Sequence, residues 1–153
     1  MNAYKRPVSV LVVIHSPALD ILLLERAGHP GYWQSVTGSQ EGEETLTETA
    51  RREVAEETGI DTTQFQLVDW QQTNTYEIFP EWRHRYAPGV THNTEHVFSL
   101  TIPAQQPIRL APGEHLAHAW LAWPEAAERC FSASNREAIL ALGKAHKRPV
   151  QER

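Results

Sequence analysis

The chain has 153 residues, 41% of them hydrophobic and 22% charged, a composition suited to one globular domain. Its net charge of −5, from 14 basic and 19 acidic side chains, argues against duplex nucleic-acid binding, which needs a basic excess. The lone cysteine, Cys130, excludes an internal disulfide and a cysteine-based zinc cage. The longest apolar run, residues 8–14 with Ser9 inside it, is too short to cross a bilayer. The first residues lack the apolar stretch of a secretory leader. The expected setting is a bacterial-type cytoplasm, with small molecules rather than nucleic acid or membrane as partners; oligomeric state is left open.

In chain order, residues 8–14 form a short β-branched apolar run that predicts a buried strand, and 21–24 predict another after a Ser-Pro-Ala-Leu-Asp turn. Residues 31–36, 65–70, 75–79, 95–102 and 115–123 predict further strands. Thr45 and Glu48 make a capping box for a first helix, and Gly59 followed by Ile60 predicts a Schellman ending. Residues 124–129 predict a helical turn, and 134–144 a helix with Ala138, Ile139 and Leu142 as its apolar stripe. Trp33, Trp70, Trp120 and Trp123 are expected in the core. Few helices among many strands, without strict alternation, predict an α+β or α/β sandwich.

The first helix carries the chemistry. On a wheel of 100° per residue, Leu46, Ala50 and Val54 share an arc, and Glu53 and Glu57 overlap it, with Glu56 to one side. Like-charged carboxylates at i,i+4 near a core are costly unless a cation neutralises them. A hard divalent cation with oxygen ligands removes that cost. The wheel alone is also consistent with a solvated acidic helix end.

Spacing decides between these. Gly38, Glu44, Arg52, Glu53, Val54, Glu56, Glu57, Gly59 and Ile60 match every specified position of the Nudix box: Gly, five residues, Glu, seven residues, Arg-Glu-aliphatic-x-Glu-Glu-x-Gly-aliphatic. The chain thus resembles the Nudix hydrolases. That resemblance implies one domain over residues 1–153 with the box at 38–60. It implies a mixed sheet sandwiched between helices, with a loop–helix–loop motif. It also implies Mg²⁺, or Mn²⁺ in its place, and hydrolysis of a diphosphate linkage. Glu53, Glu56 and Glu57 would hold the metals. Glu44 and Arg52 would brace the loop, and Gly38 and Gly42 would supply its backbone freedom.

Outside the box the chain resembles the bacterial dihydroneopterin triphosphate diphosphatase family. The matching segments are Tyr-Lys-Arg-Pro-Val-Ser-Val-Leu-Val-Val-Ile at 4–14, Trp-Gln-Ser-Val-Thr-Gly-Ser at 33–39 and Glu-Ile-Phe at 77–79. Arg-His-Arg-Tyr-Ala-Pro-Gly-Val-Thr at 83–91, Asn-Thr-Glu at 93–95, Glu-His-Leu-Ala at 114–117 and Ser-Asn-Arg at 134–136 continue the match. Residues 64–75, 103–112 and the C-terminal tail fit loosely. The resemblance implies release of pyrophosphate from dihydroneopterin triphosphate, leaving the monophosphate, in folate synthesis. It implies Glu114 as a further metal ligand, or as a base for the attacking water, with His115 a neighbour only. Lys5 and Arg26 are expected to meet the phosphates, and Thr37 to give a hydroxyl to the substrate. Tyr76, Glu77, Ile78 and Phe79 are expected to wall the pterin, with Glu77 facing ring nitrogens, and Ser132 and Asn135 to add polar contacts. His84 and His92 are expected at the surface. Two other readings are weighed: a nucleotide hydrolase acting on dATP or dinucleoside polyphosphates, for which Tyr76 lies 16 residues past the box, and a Nudix-fold binding module without turnover. The intact glutamates argue against the second.

Overall fold

The computed structural model describes residues 4–103 and 105–151, with side chains as far as Ala145; part of the loosely matching tail lies outside the described residues. Strand β1 (Val8–His15) is buried along nearly its whole length, as its unbroken apolar run requires. One of its edges pairs in parallel with β6 (His92–Thr101), from Val8↔Thr94 to His15↔Thr101. The other edge is shared. Strand β4 (Val36–Ser39) pairs antiparallel along Ser9–Val12, whereas β2 (Asp20–Arg26) joins only at His15↔Ile21. β2 then carries β3 (Trp33–Gln34) and β7 (His115–Ala122), and β6 carries β5 (Gln66–Glu77). The order is β3-β2-β1-β6-β5, with β4 on β1 and β7 on β2.

Helix α1 (Leu46–Thr58) covers one face, where Val54 and Ala50 meet Val10, Val12, Ile14, Leu24 and Phe98. Helices α2 (Trp123–Arg129) and α3 (Ala133–Gln151) cover the other, where Ala138, Ile139 and Leu142 meet Leu11, Val13, Leu23 and Val97. The result is the expected mixed sheet between helices. The four tryptophans pack half-buried on the margins of these clusters rather than inside them. Among the described residues no helix is long and apolar enough to cross a membrane.

Three local expectations change. The strand predicted over 31–36 is two short pieces parted at Ser35, because the Ser35 N–H donates to Asn135 Oδ1, at 2.7 Å, and Asn135 Nδ2 donates to the Ser35 hydroxyl oxygen, at 3.0 Å. The strands predicted over 65–70 and 75–79 are one strand. A bulge between Asp69 and Thr73, with Gln71 at φ 56° and its N–H on the Asp69 carboxylate, shifts the register by two residues and so keeps the same residues on each face along the whole strand. The end of α1 is the simpler left-handed cap and not a Schellman motif. Gly59 at φ 78° donates to Ala55 O, while the Ile60 N–H goes to Thr58 Oγ1 instead of back into the helix. The capping box at Thr45 and Glu48 forms as predicted, with both reciprocal bonds present.

Candidate active site

Capping fixes where α1 begins, and its 3.6-residue period turns Glu53 and Glu57 inward against β4. Both are buried, at 8% and 4% exposure, while Glu56 is open to solvent. The Glu53 and Glu57 carboxyls face each other closely enough to influence one another's protonation. Burial first, and then Glu53 and Glu114, hold the Glu57 carboxyl well above the usual range; burial also raises Glu53. The Thr37 N–H donates to Glu57, yet Glu57 Oε1 is buried with no hydrogen-bond partner. His115 Nε2 stands 3.8 Å from that oxygen, and burial, then Arg26, keep the imidazole pKa low.

Gly38 lies in β4 with no left-handed backbone, so conformational freedom is not its function there. A Cβ at this position would sit 2.0 Å from the Glu53 carboxylate. The glycine is required for space; Gly42, at φ 52°, is the one that needs left-handed freedom. Arg52 ties the motif together. Its guanidinium grips the Glu44 carboxylate with Nε and Nη2, donates to Ser39 O at 2.9 Å and to Glu53 at 3.0 Å, and reaches Glu56 at 3.4 Å. The Arg52 bond holds the Glu44 carboxyl at a pKa of about 2. With Glu56 drawn to Arg52 and Glu114 on an exposed loop, no three carboxylates or imidazoles converge on one point among the described residues. The donor set nevertheless suits a hard divalent cation. All of its atoms are carboxylate oxygens, one is a buried orphan, and the two outer side chains are long and exposed enough to turn inward.

These groups line a cavity of about 1200 Å³. Glu114 reaches its wall from a turn set by Gly113 at φ 80°, and Ala27 N–H anchors the Glu114 carbonyl at 2.9 Å. Lys5 and Arg26 line it too, and desolvation at the cavity, then Arg85, lowers the pKa of each. Arg26 lies 4.8 Å over the Trp82 ring and donates to Gln34, but its Nε–H is buried without a partner. Thr37 and Ser132 are on the wall. Thr37 spends its hydroxyl proton on Val10 O, at 2.9 Å, so the oxygen offers only lone pairs.

The structure does not bring every expected residue to this wall. Of the segment expected to hold the pterin only Tyr76 lines the cavity; Glu77, Ile78 and Phe79 do not. Glu77 points outward into an ion pair with Arg83, Ile78 is core, and Phe79 packs on Trp82. Asn135 lines the cavity but commits its amide to Ser35, which makes it a brace. Conversely, Arg85, Trp82, Phe131, Ser9, Asn93 and Glu95 line it and were not expected there. Arg85 lay inside the 83–91 resemblance segment, Ser9 inside 4–14, and Asn93 and Glu95 inside 93–95, which could have flagged them; Trp82 and Phe131 are joined only through loop packing. His84 and His92 are exposed, as predicted.

Comparison with known proteins agrees with this geometry. Residues 5–142 match the NUDIX domain. The dihydroneopterin triphosphate diphosphatase of Escherichia coli K12 is 51% identical over 141 residues, covering 90% of this chain and 93% of that one. The Haemophilus influenzae protein of the same name is 39% identical over 142 residues, covering 91% and 89%. The solved structure of the E. coli dihydroneopterin triphosphate pyrophosphohydrolase matches with a TM-score of 0.85 at 50% identity, over 90% of this chain and 95% of that one. With the box glutamates turned into one cavity and a domain match along most of its length, the chain belongs to the Nudix family of hydrolases.

Proposed function

We propose that this enzyme hydrolyses dihydroneopterin triphosphate to the monophosphate and pyrophosphate, with Mg²⁺, or Mn²⁺ in its place, held by Glu53, Glu56, Glu57 and Glu114. Nudix hydrolases generally need a divalent metal. The observation that carries the reading is the Glu57 carboxylate: buried, raised in pKa, one oxygen unpartnered, in a cavity that also holds Lys5 and Arg26. Such a carboxylate is costly without a cation. When bound, a divalent metal neutralises phosphate charge and acidifies a water.

The chain's own residues do the rest. Lys5 and Arg26 take phosphate oxygens, and the free Arg26 Nε–H offers a fixed donor. Thr37 accepts a hydrogen bond, and Ser132 accepts or gives one, at the substrate's polar arm. Tyr76 supplies an aromatic wall for the ring. Glu114, exposed on the cavity wall, is assigned as the base for the attacking water, a reading its access to the cavity supports. Water forms one new P–O bond, the bridging P–O bond between the α- and β-phosphates breaks, and the proton released leaves through a carboxylate.

The test is a substrate panel of dihydroneopterin triphosphate, dATP and a dinucleoside tetraphosphate with Mg²⁺ or Mn²⁺, scored by pyrophosphate release for the two triphosphates and by nucleoside mono-, di- and triphosphate products for the dinucleotide. Dihydroneopterin triphosphate should exceed dATP in kcat/KM at least about tenfold, or ~1.4 kcal/mol. A flat ranking overturns the substrate assignment, and release from none of them overturns the reaction.

A further inference from the structure

The sheet face under α2 and α3 changes character along its length. Beneath the helices it is apolar, with Leu11, Val13 and Val97 buried in the cluster. Toward the start of β1 and β6 the same face turns polar, and the register Ser39–Ser9–Glu95–Asn74 runs as one row across β4, β1, β6 and β5. Ser39, Ser9 and Glu95 line the same cavity as Glu53 and Glu57. Glu95 is two strand spacings from Ser39, about 10 Å across the sheet. The row thus floors the cavity away from the box carboxylates.

Glu95 is 4% exposed. Among the described residues no lysine or arginine pairs with it; its bonds are to neutral donors, the Asn74 amide at 3.4 Å and the Ser134 hydroxyl. Next along the strand face is Asn93, 2% exposed, whose Nδ2 donates to Ser9 at 2.8 Å and to Tyr76 at 3.1 Å, and whose Oδ1 has no partner. A buried carboxylate with weak neutral partners, beside an orphan amide oxygen, is an acceptor surface without its donors. No step of the hydrolysis uses it.

We propose that Glu95 is the specificity-determining residue for the ring of the substrate, its carboxylate accepting the two adjacent N–H donors of a 2-amino-4-oxo pyrimidine edge, with Asn93 beside it as a further acceptor. A carboxylate matches two parallel donors in bidentate fashion. The N3–H and 2-amino group of a pterin form such a pair; the adenine edge, one donor beside one acceptor, does not. This deepens the proposed function and rests on its pterin reading. It assigns to Glu95 the ring contact that the sequence suggested for Glu77, which the Arg83 ion pair turns away.

The experiment separates the two claims by using ring probes that are not substrates. Equilibrium binding of neopterin is compared with that of the corresponding lumazine, in which a 2-oxo group replaces the 2-amino group, on the parent and on Glu95→Gln. The parent should prefer the pterin at least about tenfold, since a site built for a donor rejects an analogue lacking it. Glu95→Gln, nearly isosteric, should abolish that preference. Its kcat/KM for dihydroneopterin triphosphate should fall at least about tenfold through KM, with kcat and dATP turnover changed less than about threefold. A parent that binds pterin and lumazine alike overturns the proposal even if the variant does not fold. So does a Glu95→Gln variant that retains the preference, or that loses both substrates equally. Failure of the parent to hydrolyse dihydroneopterin triphosphate refutes the proposed reaction, while the binding comparison still decides the role of Glu95.

Discussion

Replacing Gly38 by alanine adds one methyl group at the closest approach between β4 and α1. The new Cβ would stand 2.0 Å from Glu53 Cδ and Oε2 and 2.5 Å from Oε1, so the carboxylate must retreat by about 1.5 Å to reach ordinary contact. What it meets is the end of a side chain, so the cost to the fold is modest. An off-rotamer glutamate costs about 0.5–1.5 kcal/mol. Removing a glycine from a strand returns about 0.5–1 kcal/mol of chain entropy. The net change should lie within about 1 kcal/mol, which is a Tm shift within roughly 4 °C for a domain of this size. The cost to activity is far larger. A displacement of about 1 Å in a positioning group can cost ~10²-fold, and this one exceeds that. Thermal melts and pyrophosphate-release kinetics on Gly38→Ala should therefore show kcat down at least ~10²-fold with Tm nearly unchanged. Activity within a few-fold of the parent would refute the spatial argument. A Tm fall of 10 °C or more would assign Gly38 to the fold instead of to the carboxylate.

Glu57→Gln should also lower kcat at least ~10²-fold. Burial raises the folded pKa of Glu57, so its effect favours the fold below about pH 4.5 and is lost as pH rises through the raised pKa; metal-free Tm against pH should decline over that window in the parent and flatten in the variant. Arg52→Lys gives up the two-nitrogen grip on Glu44 and should cost about 1–2 kcal/mol, read as a Tm lower by roughly 3–6 °C. Glu44 works in the opposite sense to Glu57: its depressed pKa stabilises above about pH 4.5 and that contribution fades as pH falls toward 2, so Arg52→Lys should lose its Tm deficit in strong acid. Glu114→Ala should leave the metal-free Tm unchanged or slightly higher but reduce both the Mg²⁺-induced rise in Tm and turnover, whereas Glu125→Ala, on the exposed face of α2, should alter neither; equal metal responses in parent and Glu114→Ala would make Glu114 a bystander.

The carboxylate end of the cavity was legible because its information is local. Helical period puts Glu53 and Glu57 on the apolar arc, and Thr45, Glu48 and Gly59 mark where the helix starts and stops. All of this lies within fifteen residues of sequence, and the structure buries the two glutamates the wheel places inward while leaving Glu56 outside. Gly38 was legible as a position but not as a reason. Sequence suggests backbone freedom for any glycine in a loop, and only the approach of a carboxylate from a helix fifteen residues away reveals a requirement for space.

The opposite end was illegible for a corresponding reason. Glu77 and Glu95 are both glutamates in strand-like segments, and composition cannot tell which faces the cavity. Two non-local facts decide it. The antiparallel pairing of β5 with β6 sets Tyr76 opposite Asn93 on the cavity face, while Glu77, one residue on, turns outward to Arg83. The parallel pairing of β1 with β6 sets Glu95 beside Ser9, far from it in sequence but next to it in the sheet. A one-residue slip in that pairing would exchange the faces of β6 and turn Glu95 toward α1. What fixes the register is the apolar half of the same strands, where Val97 must meet the α3 side and Phe98 the α1 side. The residues that place Glu95 in the cavity are therefore core valines and phenylalanine with no chemistry of their own, and this wall of the cavity is specified by packing elsewhere in the sheet.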